Sequence, residues 1–478
     1  MRLVPRWEFD IYALALPRGH GFGDNPPIGA WGSDDGKNMG IVTRHVESKN
    51  IGTIVMRRRA DAVWEVIKRE AGFASVDAAK KALEPDLAEN LPPAPMPPGT
   101  RPLRSLFDFG DREPNEMFRY LVNKAHQPAA WALTQIYMSF PKPDRNWVSD
   151  CQSNHFHTRL WEAQLLASLR EQGLLVEQPV ESPDFRIQNK RGGEAWIEAV
   201  TANPPADYNH MNAPIADMPT EKEEVFFGPA ALRFAKTIGN KLERNYDQMD
   251  HVKGKPFVLA IADFHAGGSM IWSREGLTGY LLGAGATVAE VNGKPQAVPL
   301  PAEFLLGPAK FPAGLFRDDK HAGLAAVVFT NACSISKLSR VPISAAATAP
   351  EGYRFTRMGV FFDRTPGALK PRPFCLDITS EEYRALWPQG FEPWTAELEV
   401  FHNPFARHPL PFDLLPEATH WFEVKGEWMC QSFYETSILW SRTRIDNADQ
   451  PPFTMADIER GMAELLEKEG AQKPASPA

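Results

Sequence analysis

The chain has 478 residues, is 43% hydrophobic and 23% charged, and carries a net charge of −8. At roughly 150 residues per domain this predicts two to four globular domains with a sizeable core. The same balance excludes a disordered chain and one coated in basic surface for nucleic acid.

A local basic groove stays open, because phosphate contacts need only a patch of lysines and arginines. The four cysteines, Cys151, Cys333, Cys375 and Cys430, form no C-x-x-C pair. They are too sparse for a disulfide framework, which points to a reducing cytoplasm. The opening MRLVPRWEFDIYALALPRGHG has acids and prolines where a secretory leader needs an unbroken apolar core. No run of about 18 apolar residues occurs, so no membrane span is expected.

In chain order, β-branched runs at 38–46, 51–59 and 62–70 predict a small meander inside a β-rich unit, 1–88. Ser75 would cap a short helix over SVDAAKKALE. The prolines of ENLPPAPMPPGTRP can join neither a ladder nor a helix interior, so 89–113 reads as an extended linker. A core unit at 114–284 follows, with helices over PNEMFRYLVNKAH and PAAWALTQIYMSF. In FHTRLWEAQLLASLREQG (156–173), Leu160, Ala163, Leu166 and Ala167 have helical spacing, and Gly173 suits the helix end. SPDFRIQNKRGGEAWIEAV (182–200) reads as two strands and a turn. Next come a Pro- and Asn-rich loop (203–219), a long amphipathic helix (229–249), a buried strand (255–264) and a helix (273–283) capped by Ser273.

The signals weaken over 285–470, which reads as a mixed α/β region. It holds strands at 323–332 and 359–364 and a hairpin at 421–430 turning at Lys425-Gly426. A last helix starts at Thr454, and 471–478 reads as a disordered tail.

The acids in the core unit carry the chemistry. Glu162 lies on the 156–173 helix, Asp184 opens the first strand of the hairpin, and Glu198 sits inside the second. Strand period puts Trp196, Glu198 and Val200 on one face. A carboxylate within so apolar a strand is costly unless a metal or a donor satisfies it. Two or three carboxylates suffice for Mg²⁺, which takes oxygen ligands and keeps several waters.

The order helix, strand, strand, helix, strand, with RLWEAQL, PD (183–184) and IEAV (197–200), resembles the core of the PD-(D/E)XK nuclease superfamily. The resemblance covers roughly a quarter of the chain, about 156–264. It implies an α/β fold of restriction-endonuclease-like type, a mixed sheet flanked by helices. It also implies a Mg²⁺- or Mn²⁺-dependent phosphodiesterase acting on DNA in preference to RNA, with Asp184 and Glu198 on the metal and Glu162 assisting.

The family pattern places a lysine two residues after the second acid, and here that position is Val200. Either the chemistry is lost, leaving a nucleic-acid-binding or interaction module, or a cation comes from elsewhere. On the 229–249 helix, Ala231, Phe234, Ile238 and Leu242 form an apolar face, with Lys236 and Lys241 as the candidate cations on its borders. Lys236, nearer the N-terminal end, is slightly favoured.

Other features read as structural. LEVFHNPFARHPLPFDLLPEATHW (398–421) resembles a stretch of bacterial proteins of unknown activity that carry a similar PDF…WIEAV segment. Its His402 and His408 are six apart, which is not the i, i+4 spacing of a zinc pair. His155 and His157 fall in a helix-start region. Ser334 and Lys337 are three apart with no supporting nucleophile motif. Arg57, Arg58 and Arg59 read as a strand edge, with Trp64 keeping a nucleic-acid platform in view.

Overall fold

The β-branched runs near the N-terminus form the expected meander. The structure is a computed structural model that describes residues 1–14, 22, 24–203, 218–346, 348–365, 368 and 370–460. Strands β1 (Arg2–Leu3), β2 (Pro27–Gly32), β3 (Asn38–Arg44), β4 (Ile51–Arg58) and β5 (Trp64–Phe73) form an antiparallel sheet in sequence order. Helix α1 (Arg6–Leu14) precedes β2. Helix α2 (Val76–Leu83) starts at Ser75, whose hydroxyl accepts from Ala78 N at 3.1 Å. Residues 89–113 form neither helix nor strand, yet they pack: Ala94 bridges Arg59, and Leu106 is buried in the main core.

Helices α3 (Glu116–Leu121), α4 (Gln127–Met138), α5 (Trp147–Cys151) and α6 (Phe156–Glu171) follow. Gly173, with φ 78°, turns the chain out of α6 as expected. Strands β6 (Leu175–Glu177), β7 (Phe185–Gln188) and β8 (Glu194–Ala202) come next, then α7 (Lys222–Phe227), α8 (Pro229–Leu242), β9 (Phe257–Asp263) and α9 (Ser273–Leu282). Most of the expected 203–219 loop lies outside the described residues.

An exposed hairpin, β10 (Ala284–Val291) and β11 (Lys294–Pro301), was not anticipated. The rest comprises β12 (Ala326–Thr330), α10 (Ile335–Ala346), β13 (Tyr353–Phe361), β14 (Arg372–Asp377), α11 (Glu381–Arg384), β15 (Glu399–His402), β16 (Thr419–Val424), β17 (Glu427–Ser432) and β18 (Ile438–Asn447). The β16–β17 turn is at Lys425-Gly426, both with positive φ, as expected. The last helix begins after Thr454, whose hydroxyl donates to Asp457; its continuation past 460 and the tail lie outside the described residues.

The protein is therefore mixed α/β. Its centre is an eight-stranded mixed sheet in the order β17-β16-β15-β12-β9-β8-β7-β6. β8, β9 and β12 run parallel, and β6, β7 and β8 are antiparallel neighbours. Helices cover both faces. Ile197, Val258 and Ala260 pack with Leu160 and Leu166 of α6 and with α4 and α10, whereas Trp196, Val200, Leu259 and Ile261 pack with Phe234 and Ile238 of α8 and with α9. Every residue of β9 is buried, as a central parallel strand with two covered faces requires. A second antiparallel sheet, β14-β13-β18, packs beside it. Among the described residues, no helix is long and apolar enough to cross a membrane. The four cysteines are free.

Candidate functional site

The hairpin brings the two acids together. β7 and β8 pair with Phe185 opposite Ile197, and one further step of that register sets Asp184 opposite Glu198. Ile197 and Ala199 point to the α6 side of the sheet, and Trp196 and Val200 to the α8 side. Glu198 shares the α8 face and is 4% exposed.

Its charge is met there. Lys241 Nζ lies 2.5 Å from Glu198 Oε1, and Tyr246 OH donates to the same oxygen at 2.7 Å. Arg244 Nη1 donates in turn to the Tyr246 hydroxyl at 3.2 Å. Burial, then the adjoining Glu198 carboxylate, pushes the Tyr246 phenol upward, so it stays a donor. Glu198 Oε2 is buried with no hydrogen-bond partner among the described residues. Leaving such an oxygen unpaired costs about 1–3 kcal/mol, more when charged, unless something occupies the position.

Asp184 Oδ2 accepts from Ala199 N at 2.7 Å. Burial raises the Asp184 carboxyl well above its usual range, and the Glu198 and Glu162 carboxylates raise it further. Two converging carboxyl groups with one orphaned oxygen suit a hard divalent cation, which takes one or two carboxylates and keeps waters. Among the described residues, no group of three or more His, Cys, Asp or Glu side chains could hold a metal ion. A cation here would rest on Asp184 and Glu198.

Two expectations need correction. Lys236 is exposed, whereas Lys241 is the one that pairs with Glu198. Helix geometry explains it: Lys241 is seven residues after buried Phe234 and three after buried Ile238, on their line, whereas Lys236 is two from each, about 200° away. Glu162 is buried on α6, but Arg159 Nη1 donates to both of its oxygens, at 2.9 and 2.8 Å, and Trp147 Nε1 to one, at 3.0 Å. It tunes Asp184 through its charge and offers no free oxygen.

Tyr246 was not anticipated. The helix expected to run to 249 stops at Leu242, and Asn245, left-handed at φ 51°, folds Tyr246 back beneath the sheet. The only advance signal was an Asn able to adopt that conformation inside an otherwise periodic run.

The remaining candidates are absorbed by the fold. Arg58 stacks 4.0 Å over Trp64, Arg59 pairs with Asp61 and Glu65, and Arg57 donates to Asn38. Lys337 Nζ contacts Glu392, so no Ser334–Lys337 dyad forms. His157 packs edge-on against Phe264, and His155 is exposed.

His402 Nε2 lies 2.8 Å from His420 Nδ1, whose ring also reaches Leu415 O. Burial lowers His402 to about 4. A folded pKa below the unfolded value, about 6.5, means the contribution is complete above that pH and is lost as pH falls towards 4. Acid melts of His402→Gln should therefore lose up to about 3 kcal/mol less than the parent between pH 7 and 4. Equal slopes would contradict this.

No family model matches the chain, and neither does any curated protein or solved structure.

Proposed function

We propose that this protein is a divalent-metal-dependent phosphodiesterase of restriction-endonuclease-like type, acting on DNA in preference to RNA. The observation that carries the reading is the orphaned Glu198 Oε2 beside Asp184, with Lys241 on the other Glu198 oxygen. The α6–β6–β7–β8–α7–α8–β9 order, with Asp184 and Glu198 facing each other across β7 and β8, supports it.

Asp184 and Glu198 would hold Mg²⁺ or Mn²⁺. Such an ion polarises the phosphodiester and lowers the pKa of a bound water. The chain's own groups do the rest. Lys241, paired with Glu198, would stand in for the lysine that Val200 replaces and place positive charge where charge develops on the phosphate. Tyr246 holds Glu198 Oε1, which leaves Oε2 available to an ion. Burial and the neighbouring carboxylates raise Asp184, which favours its protonated form, and a bound cation would lower it again.

One observation favours the second reading, a decayed site that only binds nucleic acid: Glu162 is committed to Arg159 and Trp147. A cleavage panel of single- and double-stranded DNA and RNA with Mg²⁺ or Mn²⁺ separates the two. The proposal expects DNA cleavage that Asp184→Ala and Glu198→Ala abolish. Binding without hydrolysis, or variants that cleave as well as the parent, would overturn it.

A further inference from the structure

β9 and β12 are adjacent and parallel, but the chain leaves them towards opposite faces of the sheet. After β9 it enters α9, whose Leu277 and Leu281 pack on the α8 side; after β12 it enters α10, whose Leu338 and Val341 pack on the α6 side. Paths that diverge beyond two parallel strands leave a crevice at their carboxyl ends, which is where open α/β sheets bind ligands. A cavity of about 320 Å³ lies there, between the segments following the two strands and the neighbouring β18. Its size is at the lower end for small-molecule sites, roughly 300–1,000 Å³.

The wall of this cavity is positively charged. Arg340 lines it and is 3% exposed, with Nε and Nη2 on Glu392 at 2.9 Å and Nη1 on Thr443 at 2.9 Å. Behind it, Lys337 and Arg357 share the same carboxylate, at 2.9 and 3.4 Å, and both also reach Glu397. Three buried cations thus meet two carboxylates in direct contact. Glu171 lies further off and is raised by burial to about 7, so it is only partly ionised near neutrality. Arg442, beside Thr443 on β18, also lines the cavity and is exposed, and its side chain makes no ion pair or hydrogen bond among the described residues. Asp263 is the opposing charge, but its oxygens are taken by His265 Nδ1 and Ser269 Oγ, each at 2.6 Å. Leu160, Met270 and Ile335 give the rest of the cavity an apolar lining.

We propose that this cavity binds a small organic anion, its phosphate or carboxylate against Arg340 and Arg442 and its apolar body against Leu160 and Met270. Among the described residues Arg442 carries no side-chain partner, and an anion held between its guanidinium and that of Arg340 would gain charge-assisted hydrogen bonds. The site is separate from Asp184 and Glu198 and does not depend on their chemistry.

Calorimetric titration of the full chain with phenyl phosphate, benzoate and benzyl alcohol tests it. Phenyl phosphate or benzoate should bind, and whichever is tighter identifies the anionic group; benzyl alcohol should not bind. Arg442→Ala should weaken anion binding by about tenfold or more while the ligand-free melting temperature stays that of the parent. A surface control, Lys49→Ala, should bind as the parent does. Failure of both anions to bind at millimolar concentration, equal binding by Arg442→Ala, or equal binding of benzyl alcohol would overturn the proposal.

Discussion

Lys241→Met is expected to lower divalent-ion-dependent DNA cleavage by about a hundredfold or more, the usual effect of removing one pre-positioned charge donor. Lys236→Met should leave it within about twofold, as surface substitutions away from a site do. The contrast follows from position. Lys241 Nζ is 2.5 Å from Glu198 Oε1, while Lys236 is exposed on the far side of α8. Removing Lys241 also strips Glu198 of its counter-charge, so melting temperatures must be compared alongside rates. Tyr246 still holds the carboxylate in that variant. Lys241→Arg should restore part of the rate by keeping the charge. Equal loss in Lys236→Met and Lys241→Met, or none in either, would contradict this role for Lys241.

The second large effect concerns stability. Glu392 is fully buried and receives Arg340 through two hydrogen bonds, with Lys337 and Arg357 also in contact. The Tyr383 hydroxyl donates to it as well. Arg340 and Lys337 hold its carboxyl well below the usual range against the opposing effect of burial. Breaking a buried ion pair from one side leaves uncompensated charge and costs about 3–5 kcal/mol. Glu392→Gln leaves three buried cations facing Glu397 alone, so urea unfolding should show a loss of that size. Measured from typical stabilities of about 5–15 kcal/mol, this is a large fraction of the whole. A loss below about 1 kcal/mol would mean that the cluster is far better hydrated than its burial indicates.

How much of this was legible depended on the distance between partners in the sequence. The 182–200 hairpin, with its Asn189–Gly193 turn and its two acids, could be read because strand period and turn chemistry are local. The β10–β11 hairpin carried an equally local signal: Asn292-Gly293, both with positive φ, between alternating strands. Its strands have no buried face, so apolar patterning does not mark them.

Lys241 was decidable from helical angles once Phe234 and Ile238 were taken as the buried line. The preference for Lys236 weighed position along the helix above angle around it. Arg159 stands three residues before Glu162, a spacing that announces an ion pair and hence a carboxylate already in use. Trp147 and Tyr246 were illegible, since their contacts arise only when α5 and the turn after α8 fold against the core. The Lys337–Arg340–Arg357–Glu392 cluster was hidden for the same reason. Lys337 and Arg340 precede Glu392 by more than fifty residues and Arg357 lies on another sheet, and sequence patterning places charges at the surface by default.

The central claim is that Asp184 and Glu198 form a divalent-cation site, and titrating Mn²⁺ into the metal-free full-length protein by calorimetry tests it most directly. The parent should bind one ion, and Asp184→Asn and Glu198→Gln should each weaken binding by more than the roughly 10–100-fold that loss of an outer-shell partner alone brings. A parent that binds no Mn²⁺, or variants that bind it as tightly as the parent, would contradict the account.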